Sequence, residues 1–300
     1  MTFSAALKNE LLKAETGGEL RFAESYGMLL FSRLFSLRQN AVTTENRLFA
    51  QELSGRIGEL GALCEVRFAL RRKGEALRVS IPYESEREKL LAAFGYTGKE
   101  LSLRIRAEVL KSAAHERAFL RGVFLSAGSV SDPQRDYHLE IASAHRALIS
   151  DLAALLLKNP ELDLSPGQST RAGKSVVYLK DSEKISDFLT LIGAPRSAME
   201  LMQAKMLKEV RNYVNRKSNF ETANIDKTVK AAVEQNLAIE KVIEKKGLDY
   251  FPPSLREIAA LRLRNPEMSL RELSEELSLS RSGVNHRLKK ILEIAQDLED

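Results

Sequence analysis

Residues 269–291 read Ser269-Leu-Arg-Glu-Leu-Ser-Glu-Glu-Leu-Ser-Leu-Ser-Arg-Ser-Gly-Val-Asn-His-Arg-Leu-Lys-Lys-Ile291. This stretch predicts two short helices that cross at a tight turn, because apolar residues recur at helical spacing on both sides of Ser278-Leu279-Ser280. The small Ser274 lies where the helices must approach each other. The expected inward positions are Leu270, Leu273 and Leu277 in the first helix and Val284, Leu288 and Ile291 in the second. The pattern is that of a helix-turn-helix.

The outward side of the second helix carries the functional prediction. Any three-helix bundle shares the apolar spacing, so the polar row is the more specific signal. An asparagine amide can pair bidentately with adenine, arginine and lysine can reach guanine or phosphate, and a serine near the helix start suits a phosphate. We therefore predict a DNA-binding set of Arg281, Ser282, Asn285, His286, Arg287, Lys289 and Lys290.

The residues before this pair predict a third helix. Pro252-Pro253 should end the preceding element, and Ser254 and Ser269 are each followed by a glutamate three positions later, the pattern of a capping box. The third helix is expected over Leu255–Arg264, where Asn265-Pro266 would stop it. The result is a trihelical domain over 251–300.

Composition limits the other classes of function. The chain has 300 residues, 44% of them hydrophobic and 29% charged, and a net charge of +5. No apolar run approaches the ~20 residues of a membrane span. Cys64 is the single cysteine, and the four histidines show no metal-ligand spacing. We expect a cytoplasmic, nucleoid-associated protein with no metal, no cofactor, no small-molecule substrate and no catalytic residue.

The first two hundred residues contain a repeat. A short apolar helix with a central glycine occurs around Gly27 and again around Gly122. Each is followed by the same predicted order of strand, helix, two strands and helix. The predicted elements are Leu37–Val42, Glu45–Leu60, Ala62–Arg71, Ala76–Pro82 and Ser85–Phe94 in the first copy, and Tyr137–Ser143, Ala147–Lys158, Glu161–Thr170, Lys174–Leu179 and Ser182–Ile192 in the second.

One strand of this repeat predicts a sheet with one dry and one wet face. Cys64, Val66, Phe68 and Leu70 alternate with polar residues, which is typical of an antiparallel sheet covered on one side. The polar positions are Glu65, Arg67 and Arg71.

A repeated unit whose opening helices meet glycine to glycine resembles the LAGLIDADG homing-endonuclease fold. The resemblance implies an α+β protein made of duplicated LAGLIDADG-like αββαββα-type units with pseudo-twofold symmetry, followed by an all-α helix-turn-helix domain. In the endonucleases each opening helix ends in an acid that binds the catalytic metal. The corresponding positions here are Ser32 and Ala127, which lack a carboxylate for a hard cation. The nuclease centre is therefore expected to be lost.

The combination of both parts resembles the WhiA family of sporulation and cell-division regulators of Gram-positive bacteria. The likeness rests on Ala118–Val130, on Glu209–Lys227 and on the Ser282–Arg287 stretch, and it covers essentially the whole chain. It departs where family members commonly have a cysteine and this chain has Phe220. The expected domains are 1–98 and 99–195 for the two LAGLIDADG-like halves, 196–250 for a helical connector rich in Asn and Arg, and 251–300 for the helix-turn-helix.

The connector allows two interpretations. Amides and cations recur along one face of a predicted helix, which suits a DNA or partner surface; the plainer interpretation is a solvated hinge. Met202, Met206, Val210 and Val214 drift round the other side, a pattern more typical of core. The candidate surface comprises Lys205, Lys208, Arg211, Asn212, Asn215, Arg216 and Asn219.

Three functions from different classes remain open at this point. The first is a sequence-specific transcriptional regulator that binds double-stranded DNA and is catalytically inactive. The second is an active LAGLIDADG-type endonuclease that uses displaced acids. The third is an interaction platform whose N-terminal half binds a sigma factor or another transcription protein.

Overall fold

The computed structural model describes residues 1–37, 41–71, 74–159 and 161–298. The chain forms two compact units, Met1–Glu209 and Val210–Asp300, and each is considered by itself. The middle of the strand predicted over Leu37–Val42 lies outside the described residues. The α+β class, with duplicated LAGLIDADG-like units followed by an all-α helix-turn-helix, is confirmed.

The N-terminal unit opens with a helix and then builds its first repeat. Thr2 caps the opening helix by accepting a hydrogen bond from the amide of Ala5. The described elements are α1 (Phe3–Lys13), α2 (Gly18–Leu30), β1 (Ala41–Thr44), α3 (Arg47–Glu59), β2 (Glu65–Arg71), β3 (Gly74–Ser80) and α4 (Glu84–Ala93). The three strands are antiparallel in the order β1-β3-β2. Helix α1 was not among the predicted elements.

The second repeat has the same order with one additional described strand. That strand, β4, follows its opening helix directly and pairs with the next strand through Ser129 and Glu140. The elements are α5 (Ala113–Ala127), β4 (Gly128–Val130), β5 (Leu139–Ser143), α6 (Arg146–Lys158), β6 (Gly167–Arg171), β7 (Lys174–Leu179) and α7 (Ser182–Leu191). The sheet order is β4-β5-β7-β6, antiparallel throughout.

The two repeats meet where α2 crosses α5, and two glycines set the distance. A Cβ on Gly27 would lie 2.2 Å from the carbonyl oxygen of Phe119, and a Cβ on Gly122 would lie 2.0 Å from that of Glu24. No side chain fits at either position because the two backbones are in contact. The predicted glycine-to-glycine meeting of the opening helices is confirmed.

A buried ion cluster fastens α3 to α2 beside this crossing. Arg56 is 2% exposed and donates hydrogen bonds to Glu52, to the backbone carbonyl of Arg21 and to the Ser25 hydroxyl. Its guanidinium also lies 3.4 Å from Glu24. Because the charge is shared among several acceptors, burying this arginine is compatible with stability.

The dry face predicted for β2 is wrong. Val66 is 44% exposed and Phe68 is 77% exposed, whereas Val79, which pairs with Val66, is fully buried. The reason is the position of β2 at the end of the described β1-β3-β2 order, since the helix covering this sheet packs chiefly over the strand at its centre. The side chains of Leu70 and Arg71 lie outside the described part of the chain.

The last element of the N-terminal unit is a helix that continues into the C-terminal unit. Helix α8 runs over Pro195–Lys246. It has buried residues near both ends, but every residue from 209 to 230 is exposed. The core interpretation of the apolar series in the connector is therefore wrong for Met206, Val210 and Val214, which are more than half exposed; Met202 packs partly buried against the N-terminal core. Among the described helices, none is long and apolar enough to cross a membrane.

Candidate nucleic-acid interface

The C-terminal unit contains the helix-turn-helix. Its three helices are α9 (Pro253–Arg264), α10 (Leu270–Glu276) and α11 (Arg281–Gln296). Their inward positions follow the sequence pattern, with Leu273, Val284 and Ile291 fully buried and Leu270 and Leu277 partly buried. The predicted apolar faces of this pair of helices are confirmed.

The core of this unit also draws on α8. Ile239 and Val242 are fully buried in the same cluster as the helix-turn-helix residues, and Phe251, between α8 and α9, is 1% exposed. The signal for this fourth helix was present in the sequence, because Ala238 and Ile239 lie four and three residues before Val242. The segment was nevertheless predicted to be part of the connector.

Two helix starts were predicted as capping boxes, and one of them is wrong. At α10 the box is complete, because the Ser269 hydroxyl accepts from the amide of Glu272 while the Glu272 carboxylate accepts from the amide of Ser269 at 2.7 Å. Helix α9 instead begins at Pro253, with no side-chain cap. A proline fits the first helical turn because its fixed φ is helical and no amide proton is needed there, so Ser254 falls inside the helix.

The turn between α10 and α11 is held by its backbone conformation and hydrogen bonds, and Leu279 within it is partly buried. Ser278 adopts a left-handed φ of 50°, and the amide of Leu279 donates to the carbonyl of Ser274 at 2.9 Å. Ser274 is 8% exposed, in agreement with a small residue at the helix crossing. Ser280 then caps α11 by accepting from the amide of Gly283 at 3.0 Å. These contacts fix the direction in which α11 leaves the turn.

The outward row of α11 is exposed and unpaired. Within the described residues, these side chains have no hydrogen bond or ion pair. The members of the row are Arg281, Ser282, Asn285, His286, Lys289 and Lys290. Because these polar side chains make no hydrogen bonds within the protein, they are available to bind base edges and phosphates.

Arg287 differs from the rest of the predicted DNA-binding set. It is half-buried and donates from Nη1 to the carbonyl oxygen of Ser254 at 3.3 Å. This contact ties α11 to α9, so the structure gives Arg287 a bond within the domain that the outward row lacks.

Two residues of the candidate surface on the connector contact other residues of the N-terminal unit, and the other five are exposed. Lys205 forms a 2.7 Å ion pair with Glu183, which raises the pKa of Lys205 through that hydrogen bond. Lys208 lies over the ring of Tyr137, 4.6 Å from its centroid. Both lysines are thus engaged in the N-terminal unit. The remaining members, Arg211, Asn212, Asn215, Arg216 and Asn219, lie in the exposed part of α8.

The positions that would hold metal in an endonuclease carry no acid. Ser32 lies just beyond α2, where its hydroxyl donates to the carbonyl of Leu29 at 2.7 Å. Ala127 is the last residue of α5. Among the residues that the structure describes, no group of three or more histidine, cysteine, aspartate or glutamate side chains could hold a metal ion.

Some cations on and beside the N-terminal sheets are paired, whereas Arg78 on β3 and Lys174 on β7 have no hydrogen bond or ion pair among the described residues. Arg67 lies 2.8 Å from Glu65, and Arg47 lies 3.1 Å from Glu75. Arg171 reaches Glu140 at 4.0 Å. Paired surface charges contribute less to phosphate binding than free ones, because each must first exchange its partner.

Fold and site together define the class, which is a LAGLIDADG-like domain joined to a helix-turn-helix domain. A family profile described as the WhiA LAGLIDADG-like domain matches residues 116–211, and one described as the WhiA C-terminal HTH domain matches residues 214–295. The chain belongs to the WhiA family.

Individual relatives agree with this assignment. A protein of Ruminiclostridium cellulolyticum named probable cell division protein WhiA is 37% identical over 99% of this chain and 97% of its own length. A protein of the same name from Carboxydothermus hydrogenoformans is 43% identical over 73% of this chain and 71% of its own. The crystal structure of full-length DUF199/WhiA from Thermatoga maritima superposes with a TM-score of 0.58 at 26% identity, covering 99% of both chains.

Proposed function

We propose that the protein is a sequence-specific, double-stranded-DNA-binding regulator of transcription in a Gram-positive bacterium, acting in the cytoplasm on the nucleoid. The observation that carries the proposal is the outward row of α11, which is exposed and without partners on a helix fixed by the turn before it. The link to cell division rests on the names of the relatives, and a link to sporulation rests on the family resemblance.

Asn285 is the proposed base reader. Its amide can donate to and accept from adenine at once, whereas the cations of the row can bind any phosphate. We expect Asn285→Ala to weaken binding to the preferred site by about 1–3 kcal/mol and to leave binding to random duplex nearly unchanged.

The experiment is a fluorescence-anisotropy titration of the full chain against a site selected from a random library. Asn224→Ala is the matched control, since Asn224 is an exposed asparagine of α8 outside the helix-turn-helix and outside the candidate surface on the connector. Equal losses on the selected site and on random duplex for Asn285→Ala would show that α11 does not read bases.

The proposal includes the absence of nuclease activity. The support is chemical, because Ser32 and Ala127 occupy the positions of the metal-binding acids of the endonucleases. We expect supercoiled plasmid to remain intact with Mg²⁺ or Mn²⁺. Metal-dependent nicking that co-purifies with the protein would restore the endonuclease interpretation.

A second function, docking of a sigma factor or another transcription protein, is favoured by one observation. Val66 and Phe68 on β2, the last strand in the described order of the first sheet, are exposed, as is Leu63 just before that strand. An exposed apolar edge can accept a partner strand or an apolar side chain. Capture of purified sigma factors by the full chain, compared with Phe68→Glu, tests this function, and unchanged capture by the variant would exclude this surface.

A further inference from the structure

A cavity of about 230 Å³ in the C-terminal unit is lined by cations. It lies between the second half of α8, the end of α9 and the starts of α10 and α11. Lys227, Arg262, Arg271 and Arg281 line it, and no aspartate or glutamate does. The rest of the wall is formed by small or apolar residues and by hydroxyl and amide side chains. Apart from Arg281, the residues that line the cavity are not members of the outward row of α11.

The cations of the cavity are incompletely neutralised. Arg262 is 2% exposed, and its Nη1 donates to the carbonyl oxygens of Pro266 and Met268, while its Nε has no partner. Its pKa is lowered by burial. Lys227 and Arg281 have no hydrogen bond or ion pair among the described residues. Arg271 is paired with Glu275 at 2.9 Å.

A buried amide completes the set of groups. Gln235 is 6% exposed, and its Oε1 has no hydrogen-bond partner. Rotation about the last side-chain bond exchanges the oxygen and the NH₂ group of the amide, so the side chain can turn an N–H toward a bound anion. Both this amide and the Arg262 guanidinium have hydrogen-bonding capacity left for a ligand, whereas most buried polar atoms of native proteins are bonded within the protein.

The volume and the lining of the cavity indicate what kind of ligand it can hold. Sites for drug-sized molecules occupy about 300–1,000 Å³, so this cavity suits a smaller group. Arginine and lysine together are the typical ligands of phosphate, because the guanidinium offers paired donors and the ammonium a compact charge. We propose that the cavity is a binding site for a phosphate group, carried either by a free small molecule or by the backbone of DNA. The proposal does not depend on DNA binding, because a free anion is sufficient to test it.

The first experiment uses the full chain and inorganic phosphate. Isothermal titration calorimetry with phosphate, at an ionic strength held constant with chloride, is expected to give saturable binding. Lys227→Ala should weaken the affinity about five- to tenfold through loss of a charged partner. Lys217→Ala, an exposed lysine of α8 outside the cavity, should match the unaltered protein. Both lysines are exposed, so neither variant should fail to fold, and the circular dichroism spectrum checks this.

Two results would overturn the proposal. One is the absence of saturable phosphate binding to the unaltered chain. The other is equal phosphate affinity for Lys227→Ala and Lys217→Ala, which would show that any binding occurs elsewhere.

A second experiment distinguishes the sources of the phosphate. If DNA supplies it, Lys227→Ala should weaken duplex binding, reduce the salt slope by about 1, and make binding less sensitive to competing phosphate. If a free compound supplies it, Lys227→Ala should leave duplex affinity in chloride unchanged while still binding phosphate more weakly than the unaltered chain. Failure of the unaltered chain to bind duplex would count against the proposed function and leave the phosphate site standing on the first experiment.

Discussion

The hydroxyl of Tyr26 on α2 lies 2.7 Å from the hydroxyl of Tyr96, beyond α4. Tyr96 donates its proton to the carbonyl oxygen of Arg104 at 2.5 Å. Tyr26 must therefore donate to Tyr96, and it accepts from the amide of Arg106 at 2.8 Å. Burial raises the pKa of both phenols, so both remain protonated donors. This relay fastens the segment between the two repeats to the helix at their centre.

Replacing Tyr26 should uncouple that segment. Tyr26→Phe leaves the Arg106 amide without an acceptor, and we expect a loss of about 1–3 kcal/mol of unfolding free energy. The measurement is urea denaturation followed by circular dichroism. Tyr213→Phe is the control, because Tyr213 is 69% exposed. Equal denaturation midpoints for the two variants would show that the relay contributes nothing.

The close approach of α2 and α5 predicts that alanine at Gly27 is destabilising, in contrast to alanine at a glycine with open space around it. Gly27→Ala places a methyl group 2.2 Å from the Phe119 carbonyl oxygen, so we expect a destabilisation of at least about 1–3 kcal/mol from overpacking. Gly55→Ala, on the exposed face of α3, meets no atom within 4 Å and should stabilise by up to ~1 kcal/mol through helix propensity. Thermal unfolding of both variants provides the test. Stabilisation by Gly27→Ala would contradict the crossing.

Lys8 should make stability depend on alkaline pH. Its ammonium lies 5.9 Å from the centroid of the Phe124 ring, and burial lowers its pKa from 10.5 to about 8. The unfolded chain therefore binds more protons than the folded chain between these values, so this residue makes the unfolding free energy rise as pH increases from about 8 to 10.5.

Substitution of Lys8 isolates that contribution. Lys8→Met should be more stable than the unaltered chain at pH 7, and its advantage should shrink as pH approaches 10.5. Urea midpoints of both proteins at one-unit intervals measure the difference. An advantage that stays constant with pH would mean that the folded lysine titrates normally.

The DNA contacts should be distinguishable by salt. Lys289 is exposed and unpaired on α11, so Lys289→Ala should reduce the slope of log affinity against log salt by about 1. Arg67→Ala removes a cation that is already paired with Glu65 and should leave the slope nearly unchanged. A larger effect of Arg67→Ala would identify the N-terminal sheet as the main phosphate-binding surface.

Local periodicity predicted most of the helices and strands. It could not predict which strand faces are buried, because that depends on long-range pairing between strands. The alternation at Val66 and Phe68 correctly predicts a strand, but only the pairing of β2 at the sheet edge shows that its apolar face is exposed. Strand β4 was missed because its three residues continue directly from α5. Helix α9 begins before its predicted start, because a proline in the first turn outweighs the capping pattern that follows it.

The candidate interface was predictable in its chemistry and less so in its packing. Asn285 and Lys289 are exposed as helical spacing requires. The bond from Arg287 to Ser254 depends on how α11 crosses α9, which spacing does not specify. The burial of Arg262 was also not predicted. An arginine in a helix is usually a surface residue, and Arg262 is buried here because the turn after α9 packs against it and accepts its hydrogen bond.

The uncovered middle of α8 has a consequence for how the protein opens. Every residue from 209 to 230 is exposed, so over most of this stretch the helix is held by its own backbone bonds and not by packing. Most of the stability of helices in proteins comes from the packing of an apolar face, so a stretch without such packing opens more easily. Amide hydrogens in this segment should therefore exchange with solvent deuterium well before those of α2 or α5, and limited proteolysis should cut here first, releasing the two folded units as separate pieces.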